Sequence, residues 1–397
     1  MLSVEQVRDD IPLSKELIYL DSASTSLTPK IVVDSMVEYY TQYNSNMGRG
    51  AYSIAVHATQ EVEKARGKIS EFINTKETNE IIFTKNTTEA VNIISHGLPF
   101  NKTDNILVSG LEHHSNMLPW LKLQDQGINV KIIEPDNNGF ITPEMIEEEI
   151  NNNTRLLAST HIANATGSYL DVKEISKIAH EYDSLYLMDG AQSIGHTNID
   201  IQDINPDFAA FPGHKGTMGP AGTGFLYLKK EHQDLIEPYC LGGGTVTDVT
   251  IPEYTLEDVP GRFEGGTQNI PGFIGLGHSI DYINKIGINN IEKHTGKLTQ
   301  ILYQGLKSIE NVKVYGDENN IYSIVSFNIH NMNPHDVAKI LDESCNICVR
   351  SGHHCAIPLI KYIGAEQGSI RASIHYYNTE DEIIQLINNI REITQLI

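Results

Sequence analysis

The sequence has few cysteines and few basic residues. Four cysteines in 397 residues do not form a disulfide framework, which favours a reducing, cytoplasmic setting. Lysine and arginine total 29 against 51 acidic residues, and the net charge of −22 argues against a nucleic-acid surface or a polybasic membrane patch. No apolar run reaches the roughly 18 residues that span a bilayer, and the first 20 residues lack a signal-peptide pattern. We therefore expect a cytoplasmic protein with neither nucleic-acid nor membrane partners.

The pattern of the chain predicts an α/β fold. Hydrophobic residues make up 40% of the sequence and there is no low-complexity tract. Short β-rich runs alternate with amphipathic stretches, which predicts a doubly wound, mostly parallel sheet. The strand candidates are residues 17–20, 80–84, 105–109, 130–134, 154–160, 184–189, 206–211 and 223–228. We expect a large domain over 15–265, and connecting helices with a small α+β domain over 266–397 together with 1–14.

Two residues near predicted strand ends point to a cofactor. Asp189 closes the apolar run SLYLMD, where ligands of such sheets bind, although a helix N-cap is an alternative for this fragment. Lys215 lies beside His214 in the Gly- and Pro-rich loop FPGHKGTMGPAGTG. A lysine whose pKa is depressed can react with a carbonyl group. Pyridoxal phosphate needs such a lysine and an acid facing its pyridinium nitrogen, so the pair suggests this cofactor.

The cofactor also needs an anion site and a flat partner for its ring. In TKNTTEAVNII, Asn86 can cap a helix with Glu89 as its reciprocal partner, which leaves Thr87 and Thr88 in the first turn. The N–H groups of a helix N-terminus bind anions well. His113, in EHHSN after the next predicted strand, offers a flat ring. Each of these sequence features alone is weak evidence for the cofactor. Their order along one α/β chain is more specific evidence for it.

The stretch VRSGHHCAIPL places a cysteine in a loop. Cys355 follows Ser, Gly and two histidines and precedes a proline. A thiol beside imidazoles can ionise, and the thiolate is the nucleophile. An ordinary cysteine at a strand–loop junction is the alternative. His353 and His354 either promote that ionisation or shape the loop by hydrogen bonds to the backbone.

At this point the chain resembles the class V, fold-type I pyridoxal-phosphate enzymes, and among them the group II, sulfur-mobilisation-type cysteine desulfurases. The resemblance runs from YLDSAST (19–25) to RASIHYYNTEDEI (371–383). It implies a large domain with a mostly parallel, seven-stranded sheet and a small C-terminal α+β domain. It also implies an enzyme that converts L-cysteine to L-alanine and transfers the sulfur to Cys355 as a persulfide.

The resemblance assigns a role to each motif residue. Lys215 would carry the cofactor and remove the α-proton, Asp189 would pair with the pyridine nitrogen, and Cys355 would be the nucleophile. Gln192 would bond the ring hydroxyl and His113 would stack on the ring, while the phosphate would be held by Thr87, Thr88 and His214 and, from the neighbouring subunit, by Thr267. Asn164 and Arg371 would bind the substrate carboxylate, which an Arg fork suits.

The same resemblance implies partners. It predicts a homodimer and a sulfur-acceptor or iron–sulfur scaffold protein that collects the sulfur. Only 16 residues separate Cys355 from Arg371, which marks the short-loop group with a relatively ordered cysteine. No metal is expected, because the C-x-x-C pair Cys345 and Cys348 lacks a second pair or a thioredoxin-like context.

Two positions depart from the family pattern. Pro212 stands where a serine is common, and proline offers the phosphate neither hydroxyl nor N–H. Tyr52 stands where the family has a histidine. Related class V branches also carry such a proline, so a selenocysteine lyase, another class V lyase or an epimerase remains an alternative. A fold that serves only as a sulfur-relay or binding subunit is a further alternative.

Overall fold

The structure is a computed structural model that describes residues 2–48, 50–136 and 138–395. The helices are α1 (Val4–Asp10), α2 (Leu13–Glu16), α3 (Lys30–Gln42), α4 (Ser53–Phe72), α5 (Thr87–Gly97), α6 (Leu118–Lys122), α7 (Pro143–Glu147), α8 (Val172–Glu181), α9 (Ile201–Ile204), α10 (Ile270–Ile286), α11 (Ile288–Lys307), α12 (Pro334–Cys345), α13 (Ile357–Tyr362) and α14 (Glu380–Thr394). The strands are β1 (Ile18–Tyr19), β2 (Ile81–Thr84), β3 (Asn105–Ser109), β4 (Asn129–Ile133), β5 (Thr154–Thr160), β6 (Leu185–Asp189), β7 (Phe208–Pro212), β8 (Gly224–Leu228), β9 (Val246–Thr250), β10 (Glu253–Leu256), β11 (Val312–Tyr315), β12 (Ile324–Ile329), β13 (Ile347–Cys348), β14 (Arg350–Gly352) and β15 (Ser369–Ser373).

A seven-stranded sheet forms the centre of the fold, in the order β2-β8-β7-β6-β5-β3-β4. The pairs among β3, β4, β5, β6 and β7 are parallel, and β8 runs antiparallel to both of its neighbours. Strands such as β6 are buried along their whole length, as expected where helices cover both faces of a parallel sheet. The predicted α/β fold with a mostly parallel sheet is therefore confirmed.

One strand candidate lies outside this sheet. The predicted strand 17–20 is the two-residue β1, which pairs in parallel with β13 from the other end of the chain. The seven remaining candidates are the seven strands of the central sheet, with ends shifted by no more than two residues.

A second, antiparallel sheet has the order β11-β12-β15-β14 and a hydrophobic core of its own. Strand β15 carries Arg371, and β14 leads into the loop of Cys355. In this pair of strands, Arg350 lies directly opposite Arg371. The second sheet therefore brings the two C-terminal motifs together.

Helix α10 packs on α3 and α4 beside the central sheet, and α11 packs on α14. The two sheets with separate cores are consistent with the expected division into a large and a small domain, whose boundaries at 15–265 and 266–397 stay a prediction. Among the described residues, no helix combines the length and the apolar character needed to cross a membrane.

Candidate active site

A cavity of about 270 Å³ opens at the carboxyl ends of the parallel strands. Thr160, Asp189 and Pro212 are the last residues of β5, β6 and β7, and all three line it. The other lining residues are Ala23, Ser24, Asn86, Thr87, Thr88, His113, Ser115, Ile162, Asn164, Ala191, Gln192, His214, Lys215, Arg350, His354 and Arg371. The cavity thus lies where ligands of doubly wound sheets bind.

Asp189 and Lys215 lie in the same cavity. Asp189 is buried, and its Oδ1 accepts a hydrogen bond of 2.8 Å from the Ala191 N–H. Burial raises the pKa of its carboxyl group, an effect that this hydrogen bond and nearby Lys215 oppose. Burial lowers the pKa of Lys215 to about 8, although Asp189 favours the ammonium form. A lysine in this state has a substantial fraction of neutral amine near neutral pH, as carbonyl chemistry requires.

Helix α5 begins at the cavity wall. The Asn86 side chain accepts a hydrogen bond of 2.9 Å from the Glu89 N–H, so the predicted N-cap is present. The reciprocal half of the expected capping box is not formed among the described residues: the Glu89 carboxylate accepts a hydrogen bond of 2.6 Å from the Lys85 N–H, one residue before the cap. The buried Thr87 Oγ1 has no hydrogen-bond partner among the described residues, and Thr88 Oγ1 bonds to Ser115 Oγ at 2.7 Å.

His113 follows β3 and is held in a fixed orientation. Its Nδ1 accepts a hydrogen bond of 3.1 Å from the Ser115 N–H, which places the ring proton on Nε2. Burial and, secondarily, Lys215 lower the pKa of His113 to about 3, so its ring is neutral. His214 is also neutral, because burial lowers its pKa to about 4. A neutral ring in a fixed orientation can stack on a flat ligand.

Glu112 is a buried acid directly behind this wall. Its carboxylate accepts hydrogen bonds of 2.6 Å from the Thr160 N–H and from Asn116 Nδ2. Thr160 is the register partner of Asp189, so Glu112 links the loop that carries His113 to the strand ends. Burial, followed by the charge of Asp189, raises the pKa of Glu112 to about 8.

Arg371 and Asn164 close the other end of the cavity. The Arg371 side chain is buried and its Nη1 donates to the Asn164 carbonyl oxygen at 2.9 Å. Burial lowers the pKa of Arg371 to about 10, so the guanidinium remains charged at neutral pH. Asn164 Nδ2 donates to the His354 carbonyl at 2.7 Å. Within the described residues, Arg371 Nε and Asn164 Oδ1 are buried without a hydrogen-bond partner.

Cys355 is exposed and does not line the cavity itself, although the preceding residue, His354, does. Its sulfur is 3.7 Å from Nη2 of Arg350, which lines the cavity. The neighbouring histidines make structural contacts: His353 Nε2 bonds to the Glu366 carbonyl at 3.0 Å, and buried His354 Nε2 bonds to Ser369 Oγ at 2.9 Å. Burial lowers the pKa of His354, so it is neutral. The cation beside the thiol is therefore Arg350, and the loop-shaping alternative for the histidines fits their contacts.

The polar groups of the cavity fit pyridoxal phosphate. An amine of lowered pKa can link to its aldehyde, and a buried carboxylate can face its ring nitrogen. Gln192 Nε2 donates to the Ala23 carbonyl at 3.0 Å and thereby fixes an amide on the same wall. The orphaned buried atoms of Thr87 and Arg371 are donors that a phosphate and a carboxylate would satisfy.

Several predicted residues lie elsewhere. Thr267 is exposed and lines other surface pockets but not this cavity. Tyr52 is the exposed N-cap residue of α4. Cys345 donates to Asn389 Oδ1 at 2.9 Å, Cys348 is half-buried in β13, and burial raises the pKa of both thiols.

Among the lining residues that sequence reasoning did not single out are three polar ones close to the predicted residues: Arg350, Ser24 and Ser115. Arg350 begins the stretch that ends in Cys355, and the argument used for Arg371 could have found it. Ser24 lies within YLDSAST, a motif that supported the resemblance but received no role. Ser115 follows His113 by two residues.

Comparison with known proteins gives a consistent result. The profile of the aminotransferase class-V family matches residues 18–386. A probable cysteine desulfurase of Methanothermobacter thermautotrophicus is 54% identical over 394 residues, which cover 99% of this chain and 98% of that protein. An apo cysteine desulfurase from Thermococcus onnurineus superposes with a TM-score of 0.96 at 42% identity, covering 100% and 99% of the two chains. The Escherichia coli cysteine desulfurase CsdA, in an S-sulfonic acid form, superposes with a TM-score of 0.92 at 30% identity and covers 100% of both chains.

Proposed function

The chain belongs to the aminotransferase class-V family, and we propose that it is a pyridoxal-phosphate-dependent cysteine desulfurase that converts L-cysteine to L-alanine. One observation carries this conclusion: a single cavity combines a lysine of lowered pKa, a buried carboxylate and a buried arginine, and an exposed cysteine contacts Arg350 of the cavity wall. The names of the relatives, which match the chain over nearly its whole length, support the same activity.

The cofactor would be held by the residues that the cavity wall presents. Lys215 would link to its aldehyde and Asp189 would bond its ring nitrogen. Gln192 would bond the ring hydroxyl and neutral His113 would stack on the ring. The phosphate would bind at the first turn of α5, where backbone N–H groups and the Thr87 hydroxyl, unpartnered among the described residues, are available, with Thr88 and His214 beside it.

The reaction then follows from the positions of the side chains. When bound, pyridoxal phosphate supplies an electron sink for the bond broken at the substrate α-carbon. Arg371, with Asn164 beside it, would hold the substrate carboxylate at the buried end of the cavity. Lys215 would take the α-proton, because its lowered pKa makes the neutral amine available as a base.

Cys355 would accept the sulfur. Its thiolate attacks the substrate sulfur, the carbon–sulfur bond breaks, and a sulfur–sulfur bond forms on Cys355. L-cysteine and the thiol thus give L-alanine and a persulfide, so atoms and electrons balance without a further reductant. The exposed sulfur supports delivery to a sulfur-acceptor or iron–sulfur scaffold protein. Arg350 would stabilise the attacking thiolate from 3.7 Å.

The active form is proposed to be a homodimer. Val33, Val37 and Tyr40 form an exposed apolar stripe along one face of α3, a feature that marks interaction surfaces. Thr267 lies outside the cavity of its own chain, as expected if it reaches the phosphate in the partner subunit. Four unpaired cysteines support the reducing, cytoplasmic setting.

The test is one turnover of the purified holoenzyme with L-cysteine. We expect alanine in an amount equal to the persulfide, and peptide mass spectrometry should place the added sulfur on Cys355. Cys355→Ser should retain the cofactor colour and form almost no alanine, while Cys345→Ser serves as the matched control with normal turnover. Sulfur found on Cys345 or Cys348 and never on Cys355 would overturn the nucleophile assignment. Absence of alanine with the wild-type protein would overturn the function.

A further inference from the structure

Two arginines lie side by side at the substrate end of the cavity. Arg350 and Arg371 are register partners on the antiparallel strands β14 and β15, so their side chains project from the same face of the sheet. Like charges in directly opposed positions repel each other. Because the Arg371 side chain is only 1% exposed, water screens this repulsion poorly. Some other group has to hold the two guanidinium ions together.

Ser24 joins the two guanidinium groups, and the Asp21 carboxylate to which it donates supplies the opposite charge. The Ser24 Oγ accepts a hydrogen bond of 2.8 Å from Arg350 Nη1 and one of 2.9 Å from Arg371 Nη2, and it donates to Asp21 Oδ1 at 2.8 Å. A hydroxyl group has two acceptor positions and one donor hydrogen, and Ser24 uses all three. Arg371 Nη2 also donates directly to Asp21 Oδ1 at 3.0 Å.

The segment that carries Ser24 is fixed to the strand that carries Arg371. The Ser373 N–H donates to the Leu20 carbonyl at 2.8 Å, and the Ala23 N–H donates to Ser373 Oγ at 2.9 Å. Ser373 is the last residue of β15. The position of the Ser24 hydroxyl relative to Arg371 is therefore set by backbone contacts.

The charges of Arg350, Arg371 and Asp21 do not cancel. Two guanidinium ions face one carboxylate, and Asp21 lies behind Ser24 while Ser24 and both arginines line the cavity. The remaining positive charge lies in the cavity wall and fits one carboxylate. The other guanidinium of the pair, Arg350, reaches the Cys355 sulfur with its Nη2.

We propose that Ser24 is a positioning residue that selects substrates with an α-carboxylate and holds Arg350 beside the nucleophile. Its hydroxyl keeps both guanidinium groups in one fixed arrangement, so that Arg371 meets the carboxylate while Arg350 stays at the Cys355 sulfur. The inference rests on the proposed function, because it presumes that Arg371 binds the substrate carboxylate.

The test compares ligands that differ only by a carboxylate. L-alanine and ethylamine are titrated into holoenzyme, and binding is followed by the change in cofactor absorbance. Ser24→Ala should weaken L-alanine binding by about tenfold or more, since charge-assisted hydrogen bonds are lost, and leave ethylamine binding within about twofold. Ser24→Thr, which keeps the hydroxyl, should restore alanine binding. Thr25→Val is the matched control, because among the described residues the Thr25 hydroxyl bonds to the His214 carbonyl and not to either arginine, and it should change the binding of neither ligand.

A second readout concerns the thiol. The rate at which iodoacetamide alkylates Cys355 is measured by peptide mass spectrometry, with and without cofactor. This rate should be lower by about threefold or more in Ser24→Ala, because Arg350 is no longer held at the sulfur. If Ser24→Ala does not fold, Ser24→Cys has nearly the same size with a poor acceptor and should show the same loss of alanine binding.

Different outcomes test the role of Ser24 and the proposed desulfurase activity separately. Equal weakening of both ligands, or no weakening, would show that Ser24 is merely structural or dispensable and would overturn the inference. An unchanged alkylation rate would overturn its link to Cys355. A wild-type protein that does not favour L-alanine over ethylamine and forms no alanine from cysteine would instead refute the proposed function.

Discussion

Replacement of Pro212 by serine tests the proposed phosphate site. Pro212 ends β7, opposite Gly224 of β8, and its ring lines the cavity two residues before His214. A serine at this position would direct a hydroxyl into the same cavity and, being smaller than proline, would cause no steric clash. We therefore expect Pro212→Ser to bind pyridoxal phosphate more tightly.

The magnitude follows from the charge of the ligand. A hydrogen bond to a charged group contributes about 1.5–3 kcal/mol, which corresponds to an affinity gain of about 10- to 140-fold. Loss of the proline ring adds conformational freedom to the unfolded chain and costs about 0.4–1 kcal/mol of folding stability. This second effect lowers the melting temperature of the apo-protein but does not enter the cofactor affinity of the folded protein.

The assay is equilibrium titration of apo-protein with pyridoxal phosphate, together with thermal unfolding of the apo form. Pro135→Ser is a matched control, because Pro135 lies just beyond β4 of the same sheet but outside the cavity. Unchanged or weaker binding in Pro212→Ser would refute the reasoning. Such a result would mean that a neighbour such as Ser115 already supplies the contact.

Three further predictions concern the lysine, the subunit boundary and the histidines. Because burial lowers the pKa of Lys215 to about 8, the rate at which apo-protein captures pyridoxal phosphate should rise with pH and level off above about pH 8. Asp189→Asn removes an anion that favours the ammonium form of Lys215 and should move the midpoint of this pH profile to a lower pH. A midpoint near the pKa of an ordinary lysine would contradict the assignment. Thr267→Val should weaken cofactor retention by about tenfold if its hydroxyl meets the partner's phosphate, and unchanged retention in a stable dimer would exclude that role. His353→Gln keeps an N–H that can reach the Glu366 carbonyl, so the rate of persulfide formation should stay within about twofold of wild type. A rate about a hundredfold lower would instead indicate that the His353 imidazole acts as an acid or base.

The central sheet could be predicted because most of its strands are buried on both faces and therefore read as apolar runs, although β4 at the edge is partly exposed. Residues 17–20 were predicted as a strand, but the pairing of β1 with β13 could not be predicted, since the two strands lie more than 300 residues apart in the sequence. Asp189 and Lys215 were found from local context alone, because a polar residue at the end of an apolar strand and a lysine in a rigid loop are visible in the sequence. The pairing of Arg350 with Arg371 depends on strand register, which composition does not reveal.

The roles of His353 and His354, the two histidines before Cys355, could not be predicted from the sequence. Adjacency in sequence suggested that they help to ionise the thiol, but what an imidazole does depends on burial and on its partners. His354 lies buried against Ser369, and His353 bonds to the Glu366 carbonyl, so packing against β15 and the turn that precedes it decides their role. The sequence offered both alternatives and no means of choosing between them.

The backbone of the nucleophile explains why this loop needs so many partners. His354 and Cys355 both adopt left-handed backbone conformations, with φ of 53° and 56°. For residues other than glycine each such conformation costs about 1–2 kcal/mol, so the pair stores about 2–4 kcal/mol. Two contacts from the side of the central sheet hold it: Asn164 Nδ2 donates to the His354 carbonyl at 2.7 Å, and the His114 N–H donates to the Cys355 carbonyl at 2.7 Å. At about 1 kcal/mol each these bonds offset roughly half of that cost or more. The main chain of Cys355 is thus fixed beside the cavity wall while its sulfur stays exposed, an arrangement suited to taking sulfur from a buried substrate and passing it to a partner outside.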